Sequence, residues 1–201
     1  MVDAEKIAKL QDDWTTQWHE QVANRADAGE LLTLVLRNHR ANFDLWHEED
    51  KARDPNASDA EVARVKRAID SLNQRRNDVV EAIDEVLLRS MAEQRTSAPL
   101  HSETPGMMID RMSILALKIF HTREQTERED VAEAHRLRNG ERLRILEEQR
   151  ADLAGCLDSL WYEVLTGNRR FNIYRQMKMY NDPELNPAIY TSRSGNRRGE
   201  P

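Results

Sequence analysis

Apolar side chains recur at steps of three and four residues along much of the chain, which places them on one face of an α-helix. In the longest run these steps join Val62, Val65, Ile69, Leu72, Arg76, Val79, Ile83, Val86 and Ser90. A second run joins Leu143, Leu146, Arg150, Leu153, Leu157, Leu160 and Val164. Seams of this kind are typical of helices that pack lengthwise, so the sequence predicts an all-α fold, an antiparallel helical bundle of five to six helices.

Capping residues and turn formers divide the chain into elements. Helices are predicted at about 3–25, 30–52, 59–93, 105–136, 141–166 and 169–180, with ends good to about four residues. Ser58 and Glu61 have the spacing of a capping box, and Thr104 followed by Pro105 has the pattern of a helix start. Residues 1–190 are predicted to form one domain with a short C-terminal extended segment, and 191–201 a disordered tail.

Composition supports the helical interpretation and narrows the function classes. Charged residues make up 33% of the chain, against about 25% in an average protein. Its 201 residues include only 7 glycines and 6 prolines, which excludes collagen, flexible linkers and a glycine-punctuated β-sandwich. The net charge of −6 argues against a general nucleic-acid-binding protein.

The sequence also predicts the compartment. No apolar run approaches the roughly 18–20 residues that span a bilayer, so no membrane insertion is expected. The N-terminus lacks the apolar stretch of a secretory signal, and the single cysteine, Cys156, permits no internal disulfide. A cytoplasmic protein is therefore expected.

Several polar residues occupy positions where the helical spacing calls for apolar ones. Arg76 interrupts the longest seam, and Asp110 and His121 share a stripe of the otherwise apolar helix at 105–136. Asp50 shares the apolar face of the helix at 30–52, and His47 flanks that face. Buried polar groups need partners, which leaves two interpretations: a structural salt-bridge network, or a site for a ligand.

Known catalytic motifs are missing, and neither a metal site nor a cofactor is predicted. No glutamate lies three residues before a histidine, as di-iron bundles require, and His47-Glu48 meets Lys51 where a zinc protease needs its second histidine. One acidic pattern, Glu48-Glu49-Asp50 followed by Glu81-x-x-Asp84, resembles that of all-α nucleoside-triphosphate pyrophosphohydrolases. Ala52 stands where those enzymes carry a further glutamate.

Several stretches of the sequence resemble those of a known protein family. They are Leu45-Trp46-His47-Glu48-Glu49-Asp50, Leu72-Asn73-Gln74-Arg75-Arg76-Asn77-Asp78, Glu103-Thr104-Pro105-Gly106-Met107-Met108-Ile109-Asp110-Arg111 and Tyr174-Arg175-Gln176-Met177-Lys178-Met179-Tyr180-Asn181-Asp182-Pro183. Together they resemble the bacterial domain-of-unknown-function family 4254 over about residues 30–190. The resemblance implies an all-helical bacterial protein with an association to neighbouring glycosyltransferases of cell-envelope glycan assembly. It implies no catalytic residues.

These observations lead to one main hypothesis, a polar site between the second, third and fourth helices, closed by the segment 174–190. The site is expected to bind a small anionic or sugar-like ligand, and whether it also catalyses a reaction stays open. The candidate catalytic residues are His47, Asp50, Asp110 and His121, and the candidate ligand-binding residues are Asn73, Arg76, Arg111, Lys118, Tyr174 and Arg175. The alternatives are a dimeric helical adaptor, whose polar groups fix the packing register, and a metal-dependent nucleotide phosphohydrolase.

Overall fold

The computed structural model describes residues 2–21, 29–177 and 184–187, and over these residues the fold is all-α, as predicted. The helices are α1 (Ala4–His19), α2 (Glu30–Lys51), α3 (Asp59–Arg89), α4 (Pro105–Glu127) and α5 (Glu133–Leu165). Two strands of two residues each, β1 (Leu100–His101) and β2 (Arg170–Phe171), pair in parallel. Within the described part of the chain, no helix is long and apolar enough to cross a membrane.

The predicted helix starts at α3 and α4 are confirmed. The Ser58 hydroxyl accepts a hydrogen bond from the Glu61 amide, and the Glu61 carboxylate accepts one from the Ser58 amide, which completes the capping box. At α4, the Thr104 hydroxyl accepts from the Met107 amide at 3.2 Å, and Pro105 stands in the first turn. These bonds satisfy amides that have no partner inside the helix.

The break between α4 and α5 lies at 128–132, earlier than the sequence predicted. Gly140 suggested a boundary near 137–140, but it lies inside α5 with open space around it. The chain turns instead at Arg128, whose backbone is extended and whose guanidinium binds Asp130 at 2.6 Å. Neither glycine nor proline marks this turn, so composition alone could not locate it.

The predicted helix at 169–180 is wrong over 169–177. Arg170 and Phe171 form β2, and residues 172–177 have neither helical nor strand structure. The Phe171 side chain is completely buried. The Gln94 side chain binds both the amide and the carbonyl of Phe171, at 2.9 Å each, as a neighbouring strand would. Residues 178–180 and the predicted tail at 191–201 lie outside the described residues.

The core is built around α4, which packs against all four other helices. The predicted seam of α3 is buried at most of its positions, and the α5 seam is buried from Leu153 onward. Arg150, in an apolar slot of α5, pairs with Asp12 of α1. A smaller apolar cluster joins Leu45 of α2 to the first half of α3.

Candidate functional site

A polar network connects α2 and α4 inside the apolar core. One carboxylate oxygen of Asp110, on α4, accepts hydrogen bonds from the side-chain amides of Asn38 and Asn42, on α2, at 2.9 Å each. The Asn42 amide also donates to the Ser113 hydroxyl at 3.0 Å. All four side chains are buried. Asp110, placed on the polar stripe of α4 from sequence, is therefore tied into the core.

The network continues through His39 to α1. His39 Nδ1 lies 2.8 Å from the Ser113 hydroxyl, and Nε2 lies 2.9 Å from the Thr15 hydroxyl. Because Thr15 uses its own proton to bind the Gln11 carbonyl, Nε2 must donate and Nδ1 must accept. Burial lowers the pKa of His39 to about 3, so the ring is neutral and both nitrogens are satisfied.

Arg76 of α3 lies at the edge of this network, with its Nε atom 3.6 Å from the Asp110 carboxylate. Its Nε atom is buried and makes no hydrogen bond. The nearest carboxylate oxygen already accepts from two asparagines, and 28% of the Arg76 side chain is exposed. The guanidinium therefore keeps hydrogen-bonding capacity that the protein does not use.

Arg76 lies between two cavities. The first cavity, about 390 Å³, lies between α2, α3 and α4. Its lining residues are Asn42, Leu45, Trp46, Glu49, Asp50, Arg53, Asn73, Arg76, Ile114 and Leu117. Its volume falls at the lower end of the range of small-molecule sites.

The second cavity, about 280 Å³, lies between α3, α4 and the segment after β2. Tyr174 and Gln176 form the wall that this segment contributes. The segment is attached to α3 because Arg175 pairs with Glu81 at 3.2 Å and with Glu85 at 2.9 Å. The Gln176 amide also donates to Glu81 at 2.8 Å.

Asp84 forms the inner wall of the second cavity and holds the start of α4. Its carboxylate accepts a hydrogen bond from the Gly106 amide at 2.7 Å. Burial raises the pKa of Asp84 to about 6, although hydrogen bonds from Thr104 and Gly106 act in the opposite direction. A Cβ atom on Gly106 would lie 2.7 Å from the Val80 carbonyl and 2.8 Å from Asp84, so only glycine fits there.

Most residues predicted to bind a ligand lie around these cavities. Asn73 and Asp50 line the first cavity with Arg76, whereas Asp110, Arg111 and Tyr174 line the second with it. Lys118 lines a third cavity, about 750 Å³, which also includes Arg111 and residues of α5. Arg111 and Arg175 are both paired with carboxylates, Arg111 with Glu103 at 2.6 Å.

The four candidate catalytic residues do not form one constellation. His47 and His121 lie together in a separate cluster with His19 of α1, with ring centroids 5.1–6.0 Å apart. Asp110 precedes His121 by eleven residues of α4, a rise of about 16 Å along the helix. Burial, followed by the nearby His19 and His121, lowers the pKa of His47.

The acidic pattern of the phosphohydrolase alternative is also dispersed. Glu48 pairs with Lys51 and Glu49 with Arg53 on the surface of α2. Glu81 holds the segment after β2, and Asp84 holds the start of α4. Across the described ranges, no group of three acidic side chains has the spacing of a metal site.

Some residues of the polar network and of the histidine cluster were not predicted from the sequence. His19, Asn38, Asn42 and Thr15 were not identified as candidates from the sequence. A signal was present in α1, where Gln11 and Thr15 continue the three- and four-residue steps of the buried Ala4 and Ile7. Polar residues that follow an apolar stripe in this way are buried with their partners.

Comparison with known proteins identifies one family. No curated protein and no solved structure matches the chain. The family model described as Protein of unknown function (DUF4254) matches residues 32–173. This range contains nearly all of α2, all of α3, α4 and α5, and every residue that lines the first cavity. The chain belongs to the DUF4254 family.

Proposed function

We propose that the protein binds a small anionic or sugar-like ligand in the first cavity, with Arg76 as the group that holds the anion. The observation that carries the proposal is the incomplete hydrogen bonding of this guanidinium. Its buried Nε has no partner, and its neighbour Asp110 stands 3.6 Å away with two other donors already bound. A phosphate or carboxylate matches the fork of donors that an arginine presents.

The neighbouring arginines are less suited to this role because they already have carboxylate partners. Arg53 binds Glu49 at 2.7 Å, Arg111 binds Glu103, and Arg175 binds Glu81 and Glu85. Each of these guanidiniums would have to give up an ion pair before it could bind a ligand. Arg76 has a longer ion pair, 3.6 Å from Asp110, in which its Nε makes no hydrogen bond. This favours the cavities that Arg76 lines over the third cavity.

The rest of the first cavity supports a ligand with both polar and apolar faces. Trp46, Leu45 and Ile114 give it apolar walls, while Asn73 and Asp50 supply polar groups. Such walls match the C–H faces of a sugar ring, and amide and carboxylate groups match its hydroxyls. We therefore favour a phosphorylated or nucleotide-linked sugar over a bare inorganic anion.

We propose binding, without a reaction, at the first cavity. Asp50 lines the cavity, but His47 and His121 belong to the separate histidine cluster. The association with neighbouring glycosyltransferases of cell-envelope glycan assembly that the resemblance implies is consistent with a sugar ligand. We propose the bacterial cytoplasm as the place of action, where an exposed thiol such as that of Cys156 stays reduced.

Isothermal titration calorimetry with inorganic phosphate, glucose 1-phosphate and UDP-glucose tests the proposal. We expect a sugar phosphate or nucleotide sugar to bind more tightly than phosphate alone. Arg76→Gln should weaken binding by about tenfold or more, because a hydrogen bond to a charged group contributes about 1.5–3 kcal/mol.

The matched control is Arg123→Gln, which removes an α4 guanidinium that is paired with Glu147 on the surface. This variant should bind the ligand as the wild type does. The proposal is wrong if none of the three compounds binds, or if both variants lose affinity equally.

A further inference from the structure

Three histidines from three different helices meet beside the core. His19 is the last residue of α1, His47 lies near the end of α2, and His121 lies in the second half of α4. One ring nitrogen of each lies within 4.8 Å of the nitrogens of the other two. Across the residues that the structure describes, this is the one group of three histidine, cysteine or acidic side chains with such spacing.

Hydrogen bonds fix the orientation of two of the rings. His19 Nδ1 lies 2.8 Å from the Thr15 carbonyl, and His121 Nδ1 lies 2.8 Å from the Glu124 carboxylate. Carbonyl and carboxylate oxygens accept hydrogen bonds, so Nδ1 carries the proton and donates in both rings. In the neutral tautomer that donates from Nδ1, Nε2 carries the free lone pair. Metal-binding histidines are held by the same kinds of partner.

The Nε2 atoms of His19 and His121 are buried and have no hydrogen-bond partner. The buried His39 differs, because both of its nitrogens are hydrogen-bonded, to Ser113 and Thr15. Two buried acceptors without donors are unfavourable, and the lone pairs of neighbouring rings repel each other. A cation between the rings removes both costs.

Aromatic side chains hold the three rings in place. Phe120 stacks on His19 with centroids 4.3 Å apart, and Trp46 stacks on His121 at 4.8 Å with an interplanar angle of 10°. Phe43 contacts His47 at 4.4 Å. This packing limits ring rotation and reduces the entropy lost when a metal binds.

We propose that His19, His47 and His121 bind a divalent transition-metal ion, with Zn²⁺ as the preferred occupant. Zn²⁺ accepts imidazole nitrogens at about 2.0–2.1 Å in tetrahedral geometry, which sets the nitrogens about 3.3 Å apart. The ring nitrogens lie within 4.8 Å of one another. On metal binding they must therefore move closer together by at most about 1.5 Å. The ligand set lacks the carboxylates that Mg²⁺ and Ca²⁺ require.

Three protein ligands leave the fourth position of the metal open to water or another small ligand. Structural zinc sites use four protein ligands, so an open position indicates a site that binds or activates a further molecule. Trp46 stacks on His121 and also lines the first cavity. The metal site therefore adjoins the proposed ligand site, but it rests on different residues and can be tested separately.

The test uses the tag-free full-length chain after dialysis against EDTA. Calorimetric titration should show one Zn²⁺ bound per chain, and Co²⁺ should give the visible d–d absorption of a tetrahedral site. His19→Gln, His47→Gln and His121→Gln should each abolish that absorption or weaken Zn²⁺ binding by about 100-fold. Glu124→Gln, which changes only the partner of His121, should weaken binding by about 10-fold.

The control is His135→Gln on α5, because the His135 ring is hydrogen-bonded to Gln125 and is not part of the group of three histidines. It should bind Zn²⁺ as the wild type does. The proposal fails if the wild type gives only the weak absorption of six-coordinate Co²⁺. It also fails if a variant that keeps the helical circular dichroism of the wild type binds Zn²⁺ with unchanged affinity. The wild-type cobalt spectrum decides the question even if every histidine variant misfolds.

Discussion

His39 Nδ1 accepts a hydrogen bond from the Ser113 hydroxyl at 2.8 Å, so the imidazole is held neutral between α2 and α4. Its pKa of about 3 in the folded protein lies below the value of 6.5 that applies to an exposed histidine. Between about pH 6.5 and pH 3, His39 therefore binds a proton in the unfolded chain but not in the folded chain. The contribution of His39 to the free energy of unfolding is therefore fully present above pH 6.5 and is lost as the pH falls.

We therefore predict that, as the pH falls from 7.5 to 5, protonation of His39 in the unfolded chain reduces the free energy of unfolding by about 2 kcal/mol. Urea denaturation of the wild type and of His39→Gln at both pH values measures the effect. The His39→Gln variant should be less stable than the wild type at pH 7.5. Its loss in free energy of unfolding between pH 7.5 and pH 5 should be smaller by about 2 kcal/mol. Parallel pH dependences for the two proteins would contradict the prediction.

Asp110→Ala should reduce the free energy of unfolding by about 2–4 kcal/mol. The substitution removes the acceptor of the Asn38 and Asn42 amides, which stay buried without a full set of partners. Chemical denaturation measures the loss. Glu103→Ala is the control, because it removes an exposed ion pair with Arg111 and should cost less than about 1 kcal/mol. Equal losses would show that the network contributes no more than a surface pair.

Two glycines should respond in opposite directions to substitution by alanine. Gly106→Ala should destabilise the protein by about 1–3 kcal/mol, because the added methyl group meets the Val80 carbonyl and Asp84. Gly155→Ala should stabilise it by about 0.5–1 kcal/mol, since Gly155 lies within α5 with open space around it. Thermal denaturation distinguishes the two. A stabilised Gly106→Ala variant would contradict the close packing of α4 on α3.

The Arg150 side chain should stabilise the protein mainly through its methylene groups. Only 17% of it is exposed, whereas its partner Asp12 is 42% exposed and can be solvated when the pair is broken. Arg150→Met, which keeps the length of the chain, should therefore change the free energy of unfolding by less than about 1 kcal/mol. Arg150→Ala should cost more. If both variants lost the same amount, the ion pair would be the main contribution.

The helices of this protein could be predicted from sequence because their signals are local. The seam of α3 and the caps at Ser58 and Thr104 depend on residues within a few turns of one another. The turn at 128–132 contains no glycine or proline, so the sequence predicts the boundary between α4 and α5 too late, at 137–140. The sequence predicts a helix at 169–180, but β2 at Arg170–Phe171 is held by Gln94, which is far away in the sequence.

The candidate sites depended on contacts that a single sequence does not reveal. Arg76 is a candidate because it interrupts an apolar seam, and Asn73 because asparagine is a poor helix former with specific hydrogen-bond demands. Both line the first cavity. His47 and His121 were identified for a similar reason but were grouped with Asp110. Only the packing of α1 against α4 shows that their neighbour is His19. The order of residues along one helix cannot show which residues of another helix lie opposite.

The attachment of Gln176 to Glu81 has a consequence for the order in which the protein is assembled. The two residues are separated by 95 positions, with α4 and α5 between them. During synthesis, α3 is complete long before the segment that forms the outer wall of the second cavity leaves the ribosome. That wall therefore forms only after α4 and α5 have been synthesised. The apolar core also includes α5 and Phe171, so a nascent chain that has reached only the end of α3 has neither a complete core nor the second cavity.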